Sequence, residues 1–288
     1  MTASPGDSIG IDIGGTAIKA ARVDGEGRIL HAMTLPAGAN LTAEALLALV
    51  RRALDDLSAS GPVRRVGIAV AGVVRTDGLM PAGATNLPAL ADQHLPDLFS
   101  SVLDRSASVI NDAQAAMHGE AWSGAARGVA NALMVTFGTG LGFGLLLDGR
   151  VHRGAHGASG ELGAWVPHGA HGDLTIEAIA APHRFEQRHG RRLGVHGFEH
   201  GADPETDAAI GAISRVLAAA HLLLDLELII LAGGITAAGE PFRAVVEAAF
   251  RAATPGGLQH DVRLALSALG PYAGAVGAVA PSVPETSA

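Results

Sequence analysis

Short apolar stretches along the first third of the chain are separated by glycine-rich or acidic turns. Residues 8–13 read as a buried strand and residues 18–23 as its antiparallel partner after Gly14-Gly15-Thr16. A third strand is expected at 28–34, after Asp24-Gly25-Glu26-Gly27. Leu46, Leu47, Leu49 and Val50 recur with helical spacing beside a polar Arg51-Arg52 face, so a helix is expected from residue 42 to about 58. A strand follows at 66–70 and ends at Ala71-Gly72. These elements define an α/β layer that begins with a β-meander.

The same order returns further on. A short strand at 108–110 runs into Asn111-Asp112, and 113–122 has helical composition. Residues 132–137 form a strand, Gly138-Thr139-Gly140-Leu141-Gly142 turns it, 145–147 returns, and Asp148-Gly149 turns again. The chain therefore reads as two related halves, each with one glycine-threonine turn facing a common cleft. Helices are expected at 174–187, 204–224, 240–253 and 273–280, and a buried strand at 226–231 leads into Ala232-Gly233-Gly234. The implied domains are a smaller α/β domain at 1–111 and a larger one at 112–270. The last helix, 271–281, packs back on the first domain, and 282–288 form a tail.

Composition narrows the function classes. With 288 residues and an apolar fraction of 48%, two cores are affordable. A formal charge of −8 without Lys/Arg clusters argues against nucleic acid or an anionic membrane as partner, since both require a positive footprint. The absence of cysteine removes disulfides, thiolate nucleophiles and cysteine-ligated zinc. No export signal and no run of eighteen apolar residues is read, so a cytoplasmic protein with small-molecule partners is expected.

Among twenty basic residues Lys19 is the one lysine, and it stands beside Gly14, Gly15 and Thr16. A slim point charge there suits phosphate. Glycine at such a turn permits positive φ, so that backbone N–H groups converge on phosphate oxygens while threonine adds a hydroxyl. Two such turns suit a polyphosphate, although neither matches a P-loop or a dinucleotide fingerprint. Asp112, at a strand end facing the cleft, is placed to take a proton from an attacking hydroxyl. Its local sequence alone favours a helix N-cap.

The motifs together resemble the ROK group of sugar kinases over nearly the full chain, within the actin-like, hexokinase and Hsp70 superfamily. They are Asp12-Ile-Gly-Gly-Thr, Asn86-Leu87-Pro88, Asn111-Asp112, Thr136-Phe-Gly-Thr-Gly-Leu-Gly, the run from Gly154 to Gly163, Glu177, and Gly233-Gly234. The resemblance implies a two-lobed, ribonuclease H-like fold with duplicated halves and a central cleft. It also implies transfer of the γ-phosphoryl group of ATP to a hexose hydroxyl, on C6 of glucose or a related sugar. By that likeness Asp112 is the base, and Asn86, Asn111, Glu161 and Glu177 bind sugar hydroxyls. Gly14, Gly15, Thr16, Gly138, Thr139 and Gly140 hold phosphates near Lys19, and Asp12 orients magnesium through water. Gly233 and Gly234 pass the nucleoside, and the assembly is a homodimer.

Several positions depart from the family pattern. Ala164 replaces a frequent histidine that binds both sugar and a structural zinc, and the zinc segment between Glu161 and Glu177 is shortened. Zinc is not expected, and His152, His156, His168 and His171 carry no spacing that rebuilds a site. Ala71 stands where proline is frequent. Phe143 replaces a common glycine and reads as core by strand alternation. Other readings keep the fold with polyphosphate as donor, which Ala17-Ile18-Lys19 resembles, or with an N-acetylhexosamine as acceptor. A non-catalytic sugar-binding protein is a further reading. A DNA-binding regulator is disfavoured because eleven residues before Asp12 do not hold a helix-turn-helix.

Overall fold

Alternation in the first strand sets the layers of its sheet. In β1 (Ser8–Ile13), Ile9, Ile11 and Ile13 are fully buried, and the period of two turns Gly10 and Asp12 to the opposite face. The computed structural model describes residues 6–38, 41–83, 87–167, 172–194, 198, 204–258 and 261–283. After β1 come β2 (Ala17–Val23), β3 (Ile29–Pro36), α1 (Ala43–Ser58), β4 (Arg65–Val70), β5 (Leu79–Met80), β6 (Gln93–His94) and α2 (Leu95–Leu103). Then follow β7 (Ser108–Asn111), α3 (Asp112–Ser123), β8 (Ala132–Phe137), β9 (Leu141–Leu147), β10 (Arg150–Val151), α4 (Ile176–Ala180) and α5 (Pro182–His189). The chain ends with α6 (Pro204–Leu224), β11 (Leu228–Gly233), α7 (Glu240–Ala253), β12 (Arg263–Leu266) and α8 (Ala273–Ala278). It divides into two compact units. One holds Met1–Arg127, Arg150–Ser159 and Ala268–Ala288; the other holds Gly128–Gly149 and Gly160–Ser267.

In the first unit the strand order is β3-β2-β1-β4-β7. β1 pairs antiparallel with β2 and parallel with β4, which pairs parallel with β7. The isoleucine face of β1 shares a core with Leu46, Val50 and Leu54 of α1 and Phe99 of α2. Thr42 opens α1 as its N-cap, accepting from Ala45 N at 3.2 Å. The opposite face is covered at very short range by α8. A Cβ on Gly10 would lie 1.7 Å from Ala275 O, and one on Gly67 2.0 Å from Ala278 O. Helix α3 meets α8 as closely, since a Cβ on Gly277 would lie 1.6 Å from Ala115 O. This is why α3 has no polar face and buries every residue from Ala113 to Glu120.

The second unit repeats the order, with β9-β8-β11-β12 matching β2-β1-β4-β7. β8 pairs antiparallel with β9 and parallel with β11, which pairs parallel with β12. Phe137, Phe143, Phe185, Phe242 and Phe250 fill its core with Ile210, Ile213 and Leu217 of α6, and Phe137 meets Phe242 edge-on. Helix α6 is long and apolar enough to cross a membrane by length and composition. Its burial against this core is the pattern of a core helix.

Several expectations need correction. Helix α3, placed by sequence at the start of the second domain, belongs to the first unit, because small residues let it pack on α8. Residues 150–159 return to that unit too, so neither domain is one continuous run, while α8 does lie in the first unit. The single helix read at 174–187 is α4 and α5, broken at Pro182, which offers no N–H and clashes with a preceding turn. The return strand begins at Leu141, not at 145, so Gly142 and Gly144 lie inside β9. β11 sits two residues later than read, and α8 ends at Ala278. Phe143 is core, 2% exposed.

Candidate active site

Parallel strands β1, β4 and β7 end along one edge of the first sheet, and two of those ends carry carboxylates. Register pairs Asp12 with Ala69, Ala69 with Ile110, and Val70 with Asn111. Asp12 therefore lies two strands from the β7 end that leads into Asp112, about 10 Å at ordinary strand spacing. Asp12 faces Lys19 across the β1–β2 hairpin, so both share the Gly10 face over which α8 lies. Gly274 makes room for this, since a Cβ there would come within 2.7 Å of Asp12 Oδ2. Asp12 is half-buried, and burial pushes its carboxyl up to about 6 while Lys19 draws it down.

Asn111 caps α3, which corrects the capping role that local sequence gave to Asp112. Its Oδ1 accepts from Gln114 N at 2.9 Å. Asn111 Nδ2 donates to Gly72 O at 3.0 Å and to Asp112 Oδ1 at 3.1 Å. The same Oδ1 accepts from Ala113 N at 2.8 Å. With the cap made by its neighbour, Asp112 is held at the first residue of the helix by one oxygen. Its carboxyl is pushed up to about 7, first by burial and then by the negative charge of Asp12; Ala113 N–H and Lys19 act the other way. A carboxyl near neutrality suits general acid–base work. Gln114, which sequence reading did not single out, donates from Nε2 to Gly157 O at 3.0 Å and to Ser159 O at 3.4 Å.

In the second unit the glycine turn is self-bonded, with Gly138 N donating to Gly140 O at 3.0 Å and Thr136 Oγ1 to Gly142 O at 3.3 Å. Glu177 braces it: Oε2 accepts from Leu141 N at 3.1 Å, and a Cβ on Gly140 would lie 2.3 Å from that oxygen. Arg184 Nε stands 3.9 Å from Oε1. Glu161 is exposed and opens a short 3-10 turn, Glu161–Ala164. Gly233 adopts φ 95°, and a Cβ there would lie 2.1 Å from Phe137 O. Gly234 is exposed and begins the next turn.

The structure thus brings Asp12, Lys19, Asn111 and Asp112 to one sheet edge, and Gly140 to Glu177. Thr16 is exposed and Thr139 half-buried on their respective turns. Asn86, His168 and His171 lie outside the described residues. Positive φ, expected at the turn glycines from sequence, is not adopted by Gly14, Gly15, Gly138 or Gly140. At Gly140 the crowding comes from the end of the Glu177 carboxylate, which a Cβ would displace. Gly274 and Gln114 act across the fold from residues far away in sequence, and no local pattern marks either. Among the described residues no three His, Cys, Asp or Glu cluster as a metal site.

A protein-family profile, described as ROK family, matches residues 8–281. The glucokinase of Halalkalibacterium halodurans is 26% identical over 306 residues, covering 93% of this chain and 92% of that protein. An N-acetylmannosamine kinase of Citrobacter koseri is 34% identical over 156 residues, 54% of this chain and 53% of that one. Among solved structures, a ROK family glucokinase from Streptomyces griseus in complex with glucose and AMPPNP superposes with a TM-score of 0.79. It is 29% identical and covers 95% of this chain and 98% of that one. The fold is that of the actin-like ATPases.

Proposed function

The chain belongs to the ROK family, and on that premise we propose that it is a sugar kinase transferring the γ-phosphoryl group of ATP to a hexose hydroxyl, on C6 of glucose or a related sugar. The observation that carries the reading is Asp112. Its carboxyl is half-buried, oriented by Asn111 and Ala113, and pushed up to about 7. An ionised Asp112 takes the hydroxyl proton as the sugar oxygen bonds to the γ-phosphorus and the bond to the ADP oxygen breaks. ATP as donor is supported by the glucokinase relatives and by the bound AMPPNP of the similar structure.

Asn111, Asn86, Glu161 and Glu177 take the remaining sugar hydroxyls in this reading, since amides both donate and accept and carboxylates accept from hydroxyls. Lys19, Thr16 and the two glycine turns take phosphate oxygens, and Gly233 with Gly234 leave the nucleoside room. Magnesium fits the donor set, because one hard carboxylate supplemented by waters and phosphates is its usual shell. Asp12 would hold it, and the ion would neutralise charge on the transferred group. The raised carboxyl of Asp12 would then ionise with the cation beside it.

The test is a coupled phosphorylation assay across hexoses and N-acetylhexosamines, with ATP and polyphosphate as donors, run beside Asp112→Asn. The expected outcome is turnover of one or a few sugars with ATP, and a loss of on the order of a hundredfold or more in kcat for the variant with sugar binding kept. Equal turnover by the variant removes Asp112 from its role. N-acetylmannosamine belongs in the panel because of the Citrobacter koseri relative.

A further inference from the structure

We propose that Trp165 is the aromatic platform on which the acceptor hexose stacks, an inference that rests on the sugar-kinase reading. The backbone of Trp165 is fixed between the two carboxylates assigned to sugar. The turn that Glu161 opens ends at Trp165, whose N–H donates to Leu162 O at 3.2 Å. Its carbonyl accepts from Ile176 N at 2.8 Å, and Ile176 is the first residue of α4 and the neighbour of Glu177. Both attachment points are rooted in the core, since Ile176 is fully buried and Leu162 packs against the same cluster. Tryptophan is highly buried on average in folded proteins, so its ring would be expected to bury itself here.

It does not. Trp165 is 48% exposed and joins no aromatic pair among the described residues. The chain's other tryptophan, Trp122, packs against buried clusters of the first unit. Beside Trp165, Ala164 offers only a methyl group, and Val166 and Leu174 are exposed apolar neighbours along the same two segments. Exposed apolar side chains and the two carboxylates thus belong to the same two short segments, which the Trp165–Ile176 backbone bond ties together. A pyranose has the matching surface, a rim of hydroxyls around a face of C–H bonds. Carboxylates take the hydroxyls, and an indole takes the C–H face while losing little conformational freedom.

The experiment uses the full chain. Trp122→Phe leaves Trp165 as the single tryptophan, and its emission is followed while glucose or N-acetylmannosamine is added without nucleotide. A saturable change in emission is expected. In the otherwise unaltered protein, Trp165→Ala raises the sugar KM roughly tenfold, leaves kcat within about twofold and does not move the ATP KM, while Trp165→Phe restores most of the loss. Unchanged sugar KM in Trp165→Ala, or emission indifferent to saturating sugar, overturns the assignment and leaves the kinase reading standing. If the unaltered protein phosphorylates no sugar, the kinase reading fails and this one with it.

Discussion

Asp12→Asn tests the electrostatics of the site without relying on turnover. Asp112 is raised to about 7 by two causes, burial and the Asp12 charge, and the substitution removes only the second. At roughly 10 Å and an effective dielectric constant of about 20, two unit charges interact by about 1.7 kcal/mol, or roughly one pKa unit. Asp112 in the variant should therefore titrate about one unit lower while staying well above the ordinary carboxylate range, because burial persists. The assay is carboxyl-carbon NMR of protein labelled at aspartate, followed from pH 4 to 9 in the absence of ligand. In the unaltered protein the two carboxyls titrate as a coupled pair, and in the variant a single transition remains at Asp112. An unmoved or raised Asp112 transition would refute the coupling, and a fall to the ordinary aspartate value of 3.8 would refute burial as the larger cause.

Four further outcomes follow from the packing and charge. In Gly140→Ala the new methyl displaces the Glu177 carboxylate and leaves Leu141 N–H without its acceptor, so the nucleotide KM should rise on the order of tenfold; an unchanged KM shows that the brace is irrelevant to that turn. His118 is buried and lowered to about 4 by burial and by the charges of Arg153 and Arg65. Its folded form thus binds fewer protons between about 4 and 6.5, so its contribution, on the order of 3 kcal/mol, is present above pH 6.5 and lost as pH falls toward 4. Urea midpoints of His118→Gln should lose that dependence. Asp12 and Asp112 run the opposite way: both are raised, so their contribution is present below about pH 4 and lost as pH rises through 6 to 7. Asp112→Asn should gain stability relative to the unaltered protein across that window, and a constant difference contradicts it. Gly277→Ala sets a methyl 1.6 Å from Ala115 O between two backbones, so a loss of about 3 kcal/mol or more is expected by thermal melting. Near-native melting would mean that α8 can lift from α3.

Legibility in the sequence tracked how local each cause was. β1 and α7 were readable to the residue because alternation and helical spacing are written in neighbouring positions. The start of α3 was readable from Asn111-Asp112, but its partner was not, because alanine and glycine record that something lies close without recording what. Pro182 was in plain view, and the apolar spacing around it still suggested one helix. At the site, the turn glycines were found for the wrong reason: at Gly140 the limit comes from a carboxylate 37 residues on, Glu177, rather than from φ. Gln114 reaches Gly157 across 43 positions, a distance at which no pattern reading operates. The short strand β12 and helix α2 went unread because brief apolar runs fit strand, helix and loop alike.

The seam that α8 fills has a bearing on biosynthesis. Gly10 and Gly67, translated well before α8, are shaped to receive a helix that begins at Ala273, and Arg65 awaits the carbonyls of Ala280 and Val283. At ordinary elongation rates, translating the intervening chain takes on the order of tens of seconds. Throughout that interval the nascent first sheet presents a slot of bare backbone with nothing to plug it. The second unit has all its strands by Leu266, before α8 is made, so it is equipped to fold while the first sheet still lacks its covering helix.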